Sequence, residues 1–214
     1  MSFEMRLRRI EQIEQEILRK ASALMEDGAG VYQSDLFVLG ATKRVLSLAS
    51  GFRILMAARN FTCGAALLRM QIDTAARVHA LKLVDSMDAL CKAVLSGQRF
   101  DKQKDREGEF LRDNRLISKL MEEFPWVENV YKETSGFVHL SERHIFSSIA
   151  KTDDASRTVQ FVISAEDPER PDEDYFEILD CFFEATKMAA TIILGYVKFR
   201  SLTAQEKELT AEAS

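Results

Sequence analysis

The sequence predicts an all-α protein: a helical bundle of four to six main helices with one small β-hairpin inserted near the C-terminal third. Three observations carry that expectation. Only 3 prolines and 9 glycines occur in 214 residues, too few for a turn-rich β fold. Apolar residues recur three and four apart over long stretches, the period of a helix with one buried face. One segment, 144–164, breaks that period and alternates around turn chemistry. With 46% hydrophobic residues the chain can bury a substantial core, and its length fits a single domain over 1–214.

The first helix is expected over residues 2–27 of an amphipathic N-terminal segment, 1–27. Phe3, Leu7, Ile10, Ile13, Ile17, Ala21 and Leu24 share one face, and "EDGAG" supplies the stop. A second helix follows from about 34 to 59, with Ser34 as cap. Gly40 and Gly51 lie inside it, and close helix packing is the expected compensation for their cost. After a break near Asn60, a third helix runs to about 83 or 84. It is apolar in nearly every direction, the mark of a buried helix. A short fourth helix covers 87–98. Residues 99–115, dense in both charge signs, read as a solvated loop or helical connector.

Helix signals return over 114–124 and, after Pro125, over 126–140. "HIFSSIA" and "RTVQFVIS" alternate and flank "KTDDAS", giving a hairpin of about 144–150 with 157–164. A long C-terminal helix over 172–205 opens with an acidic turn that suits its dipole, and the polar tail frays. The first and last helices are expected to pack together or to form a dimer surface.

Charge and cysteine content narrow the function classes. A net charge of −5 and pI near 5.4 exclude a broad, DNA-wide basic surface. A local basic groove stays open, and with it RNA as a partner. Cys63, Cys91 and Cys181 form neither a CxxC pair nor a zinc pattern, so reduced thiols in a cytoplasmic protein are expected, with Cys63 and Cys181 buried. The charged N-terminus lacks a signal-peptide core. The most apolar run carries Glu184 and Lys187, so no membrane span is expected. No HExxH, paired Glu-x-x-His or phosphate-loop motif occurs, and neither metal nor cofactor is expected.

Two helices carry the candidate chemistry. On the third, Arg69, Asp73 and Arg77 recur at i, i+4 and i+8. The structural reading is an internal salt-bridge ladder; the functional one is an anion-recognising cleft. On the 126–140 helix, Tyr131, Ser135 and His139 step by four and share a face. A Ser–His pair suits nucleophilic catalysis, but no nucleophile elbow or oxyanion loop accompanies it. The structural reading is that Ser135 and His139 satisfy polar groups near a helix end. His79 reads as a packing or surface residue, and Arg143 and His144 as the hairpin's entrance.

"AALLRMQIDTAARVHAL" resembles the L-x-R-x-x-x-[DE] helix of bacterial HEPN-like families, including phage-defence-associated relatives. "YKETSGFVHLS" is similar to their Y-x-x-x-S-x-x-x-H helix. The matching positions are Arg69, Asp73, Tyr131, Ser135 and His139. The resemblance implies a helical bundle that often dimerises, with both motif helices converging on one polar pocket. Many HEPN proteins are metal-independent ribonucleases built on Arg-x(4–6)-His. No arginine stands at that distance before His79, His139 or His144 here.

The expected function is therefore a binding or regulatory module, with a homodimer or protein partner, in a phage-defence or toxin–antitoxin setting. One alternative is a metal-independent ribonuclease with His139 as acid or base and Arg69 or Arg143 stabilising phosphate charge. Another is a small-anion sensor at Arg69 and Arg77.

Overall fold

An alanine-rich helix at the centre of the molecule organises the rest. The computed structural model describes residues 1–23 and 31–212. In chain order the elements are α1 (Phe3–Ala23), α2 (Gln33–Ala57), α3 (Phe61–His79), α4 (Met87–Leu95), α5 (Asp113–Glu123), α6 (Val127–Val138), α7 (Glu142–Ser147), β1 (Ile149–Asp153), β2 (Thr158–Phe161) and α8 (Phe176–Glu212). Eight helices among the described residues exceed the four to six expected. The surplus is short, since α4, α5 and α7 span 9, 11 and 6 residues. The expected glycine stop after α1, and Leu24 of its apolar face, lie outside the described residues. No described helix is long and apolar enough to cross a membrane.

Helix α3 packs against α2, α5, α6 and α8, and α1 closes the bundle against α2 and α8. Small side chains at Gly64, Ala65, Ala75 and Ala76, all buried, allow that many neighbours to approach. Where α2 and α8 meet, Phe52 and Phe182 stack with ring centroids 3.8 Å apart, both fully buried. The fully buried Gln71 donates to Thr186 Oγ1 (3.0 Å), tying α3 to α8 through a buried polar bond. Around the apolar face of α1, Arg53 of α2 reaches Glu14 (2.7 Å) and Arg6 reaches Asp180 of α8 (3.0 Å). At the other end of α8, Arg200 and Tyr196 both bind Asp35, at 3.0 and 2.7 Å.

Three local expectations need correction. The charged connector is exposed over most of its length, as expected, but it is pinned at two buried residues rather than loose. Asp105 is buried, and its carboxylate accepts from the Glu107 and Glu109 N–H groups and from Arg115 (2.9, 3.0 and 2.7 Å). Burial alone would raise the Asp105 pKa, but these bonds outweigh it and hold the carboxyl below its ordinary value. Next to it, Leu111 is fully buried.

The hairpin begins later than residue 144. Ser141 caps a short helix in a reciprocal capping box with His144, so residues 142–147 are helical, and β1 pairs antiparallel with β2 only from Ile149. A bulge lies between Ile149 and Lys151. Helix α8 runs past 205, through Glu212, in residues rich in good helix formers.

Candidate functional site

Helix α3 is buried on most of its circumference, and Arg69, Asp73 and Arg77 lie on its half-exposed stripe. It begins at Asn60, whose side chain accepts from the Cys63 N–H (3.0 Å), which fixes the start of that stripe. Asp73 and Arg77 of this stripe line a furrow between α2 and α3 that Leu95 of α4 also borders.

Arg69 and Asp73 form the i,i+4 ion pair that their spacing predicts. The Arg69 guanidinium also lies over the Tyr131 ring, with Cζ 3.3 Å from the centroid, so α3 and α6 do face each other here. Arg69 Nε is buried without a hydrogen-bond partner. Burial pushes the Asp73 carboxyl above its ordinary value, against the pull of Arg69, and pushes the Tyr131 phenol up in the same way.

The ladder does not continue as an Arg–Asp–Arg run. Arg77 turns outward to Asp113, the first residue of α5 (2.9 Å), because that carboxylate is more exposed than Asp73 and costs less to keep charged.

The second motif is not assembled as its spacing suggests. Helix α6 ends at Val138, and His139 follows in an extended conformation (φ −113°, ψ 148°), exposed to solvent. Ser135 and His139 therefore do not share a helical face, and no hydrogen bond joins them among the described residues. The end is set from outside: Ser141 Oγ donates back to the Gly136 carbonyl (2.8 Å) as it caps α7. Helices α3 and α6 run antiparallel, with Phe61 beside Phe137 and Arg69 beside Tyr131. His139 thus lies about 10 Å or more along α6 from the Arg69 level, at roughly 1.5 Å per residue. Arg69, Asp73 and Tyr131 come together; His139 does not join them. The Arg143 side chain lies outside the described residues.

Two other histidines are structural. His79, buried at the end of α3, donates through Nε2 to Glu123 (2.9 Å), which Lys82 also holds (2.8 Å). Burial would raise the Glu123 carboxyl, but Lys82 and His79 keep it below its ordinary value. His144 Nδ1 accepts from the Ser141 N–H (3.3 Å) inside α7's cap rather than at a strand edge. Among the described residues no group of three or more His, Cys, Asp or Glu could hold a metal ion. Cys63 is exposed and Cys181 half-buried, where burial of both was expected; desolvation pushes the thiol of the buried Cys91 up to about 12 and that of Cys181 up to about 11.

Comparison with family models, with curated proteins and with solved structures finds no match for the chain.

Sequence reasoning passed over two features. Arg44 on α2 donates through Nε to Thr74 Oγ1 (3.0 Å) at the furrow wall, and a lone arginine in an amphipathic helix gives no signal. The chain from Val138 to Ile163 exposes a run of large apolar residues, hidden in sequence because alternation looked like burial.

Proposed function

We propose that the protein is a helical binding module that works by protein–protein contact through its α6–α7–hairpin segment, and that the first partner of this surface is a second copy of the chain. The observation that carries the reading is exposure. Val138, Leu140, Ile145, Phe146, Val159, Phe161, Val162 and Ile163 are all exposed, Leu140 at 88% and Ile163 at 98%. At roughly 200 Å² for a fully exposed large apolar residue, these eight residues together leave on the order of 1,000 Å² of summed residue surface open, spread over α6, α7 and the hairpin. The largest apolar patch of an ordinary monomer is about 300–600 Å². A standard interface takes about 800 Å² from each partner.

The hairpin's chemistry favours a second copy. A two-stranded sheet is marginal alone. Among the described residues the outer edge of β2 has no strand partner, and residues 158–163, "TVQFVI", contain neither a charge nor a proline to block pairing. Antiparallel pairing of β2 with its copy would extend the sheet to four strands and place Phe161 and Ile163 of both copies on one face. Such a contact is self-complementary about a two-fold axis. The motif resemblance supports a regulatory use of this contact, in a phage-defence or toxin–antitoxin setting.

The ribonuclease alternative is not favoured by this geometry. Arg69 is engaged by Asp73 and Tyr131, and His139 lies at the far end of α6.

The test is light scattering on the purified chain and on Phe161→Lys and Ile163→Asp. Both positions are exposed, so the variants keep the helical circular-dichroism spectrum. The wild type is expected as a dimer and both variants as monomers. A monomeric wild type, or dimeric variants, would refute the reading.

A further inference from the structure

We propose that the furrow between α2 and α3 is a binding site for an amphipathic monocarboxylate, its head on Arg44 and its apolar body along α2 over Gly40. The furrow is open, encloses about 440 Å³, and is lined by the apolar Leu36, Phe37, Ala41, Val78 and Leu95, by Gly40, and by the polar Arg44, Asp73, Thr74 and Arg77. That volume is in the range of small-molecule sites, about 300–1,000 Å³.

The charge balance selects the head group. Asp73 is paired with Arg69, and Arg77 with Asp113. Arg44 is exposed and has no carboxylate partner among the described residues. Its only hydrogen bond there runs from Nε to Thr74 Oγ1, which orients the side chain and leaves Nη1 and Nη2 to donate. Two parallel N–H groups on one fixed guanidinium match the two oxygens of a carboxylate. In a chain of net charge −5, the three charged side chains that line this furrow sum to one positive charge, which a monoanion neutralises.

Gly40 selects the body. Glycine inside a helix is unfavourable against alanine unless something must lie close to its backbone. At Gly51 that reason is visible, since a Cβ there would meet Leu67 Cδ1 at 3.4 Å. At Gly64 a Cβ would collide with Met56 Cε. At Gly40 a Cβ would meet nothing within 4 Å. Among the described residues no side chain packs on Gly40, as is also true of Gly195 in α8, but only at Gly40 is the open space a furrow, lined by the exposed Leu36 and Leu95. A chain or ring lying over Gly40 between these two leucines covers them and uses the missing methyl group.

The experiment is isothermal titration with decanoate below its micellar concentration, with decylamine and inorganic phosphate as comparison ligands. Decanoate is expected to bind the wild type at one site. Arg44→Gln should weaken it at least tenfold. Gly40→Phe, which fills the furrow, should abolish binding while melting no lower than the wild type. Neither decylamine nor phosphate alone should bind. Absence of decanoate binding, equal binding to either variant, or equal binding of decylamine or phosphate would overturn the proposal. Because Phe161→Lys and Ile163→Asp leave this furrow intact, failure here and failure of the hairpin contact are read separately.

Discussion

Replacing Gly40 by alanine isolates a single physical effect. The residue lies inside α2, where alanine is favoured over glycine by about 0.8–1 kcal/mol. A methyl group at this position neither clashes nor packs, because no atom lies within 4 Å of it. The whole propensity difference should therefore appear as stability. For a chain of this length, 1 kcal/mol corresponds to roughly 2–4 °C in Tm. Gly40→Ala is expected to raise Tm by about that amount in calorimetry, and to raise the urea midpoint without changing the slope. Gly64→Ala is the contrast. Its methyl group would displace the buried Met56 side chain beside Phe52, so an overpacking cost of about 1–3 kcal/mol should cancel or exceed the same helix-propensity gain and Tm should not rise. A Gly40→Ala protein that melts at or below the wild-type temperature would refute the reasoning, because it would mean that this face of α2 is already covered in the free protein.

The packing and the charges set the remaining outcomes. Phe182→Ala removes a fully buried ring stacked on Phe52 and should cost about 3–5 kcal/mol by urea unfolding; a loss under 1 kcal/mol would contradict the assigned core. Asp105→Ala leaves two backbone N–H groups without their acceptor and Arg115 with Glu107 alone, so a loss of about 1–3 kcal/mol by urea unfolding is expected. The same carboxyl, like that of Asp35, is held below its ordinary value in the fold, Asp105 by Arg115 and backbone N–H groups and Asp35 by Arg200 and Tyr196, in each case against burial. Its stabilisation is therefore complete above the unfolded value near 3.9 and lost as pH falls through the lower folded value. Acid unfolding below about pH 4 should be shallower in Asp105→Asn, and an unchanged acid limb would refute the linkage. His139→Ala should leave stability within about 0.5 kcal/mol of the wild type, since the side chain is exposed. His79→Ala, which breaks the buried contact to Glu123, should be clearly destabilising in the same assay.

The helices were legible because each carries its own periodic signal. The buried character of α3 followed from its apolar circumference, and the Arg69–Asp73 pair from i,i+4 spacing. What sequence left hidden was decided by partners far along the chain. Arg77 had two carboxylates to choose from, and Asp113, 36 residues away, won over Asp73. The charged connector looked solvated because Asp105 has no apolar neighbours in sequence, yet Arg115 and two amides make its burial affordable. The Ser135–His139 relation failed by a single residue: α6 stops at Val138 because Ser141 starts the next helix, a capping signal that the alternating "HIFSSIA" obscured. Gly40 was read as a packing glycine like Gly51, and only the geometry separates a glycine pressed by Leu67 from one facing an open furrow.

Sedimentation equilibrium of the wild-type chain over a concentration series tests the central claim most directly. Self-association through the exposed hairpin predicts a mass rising toward twice the 24.3 kDa chain with concentration, and a single monomer mass for Ile163→Asp over the same range. A wild type that stays at monomer mass at every concentration would contradict it.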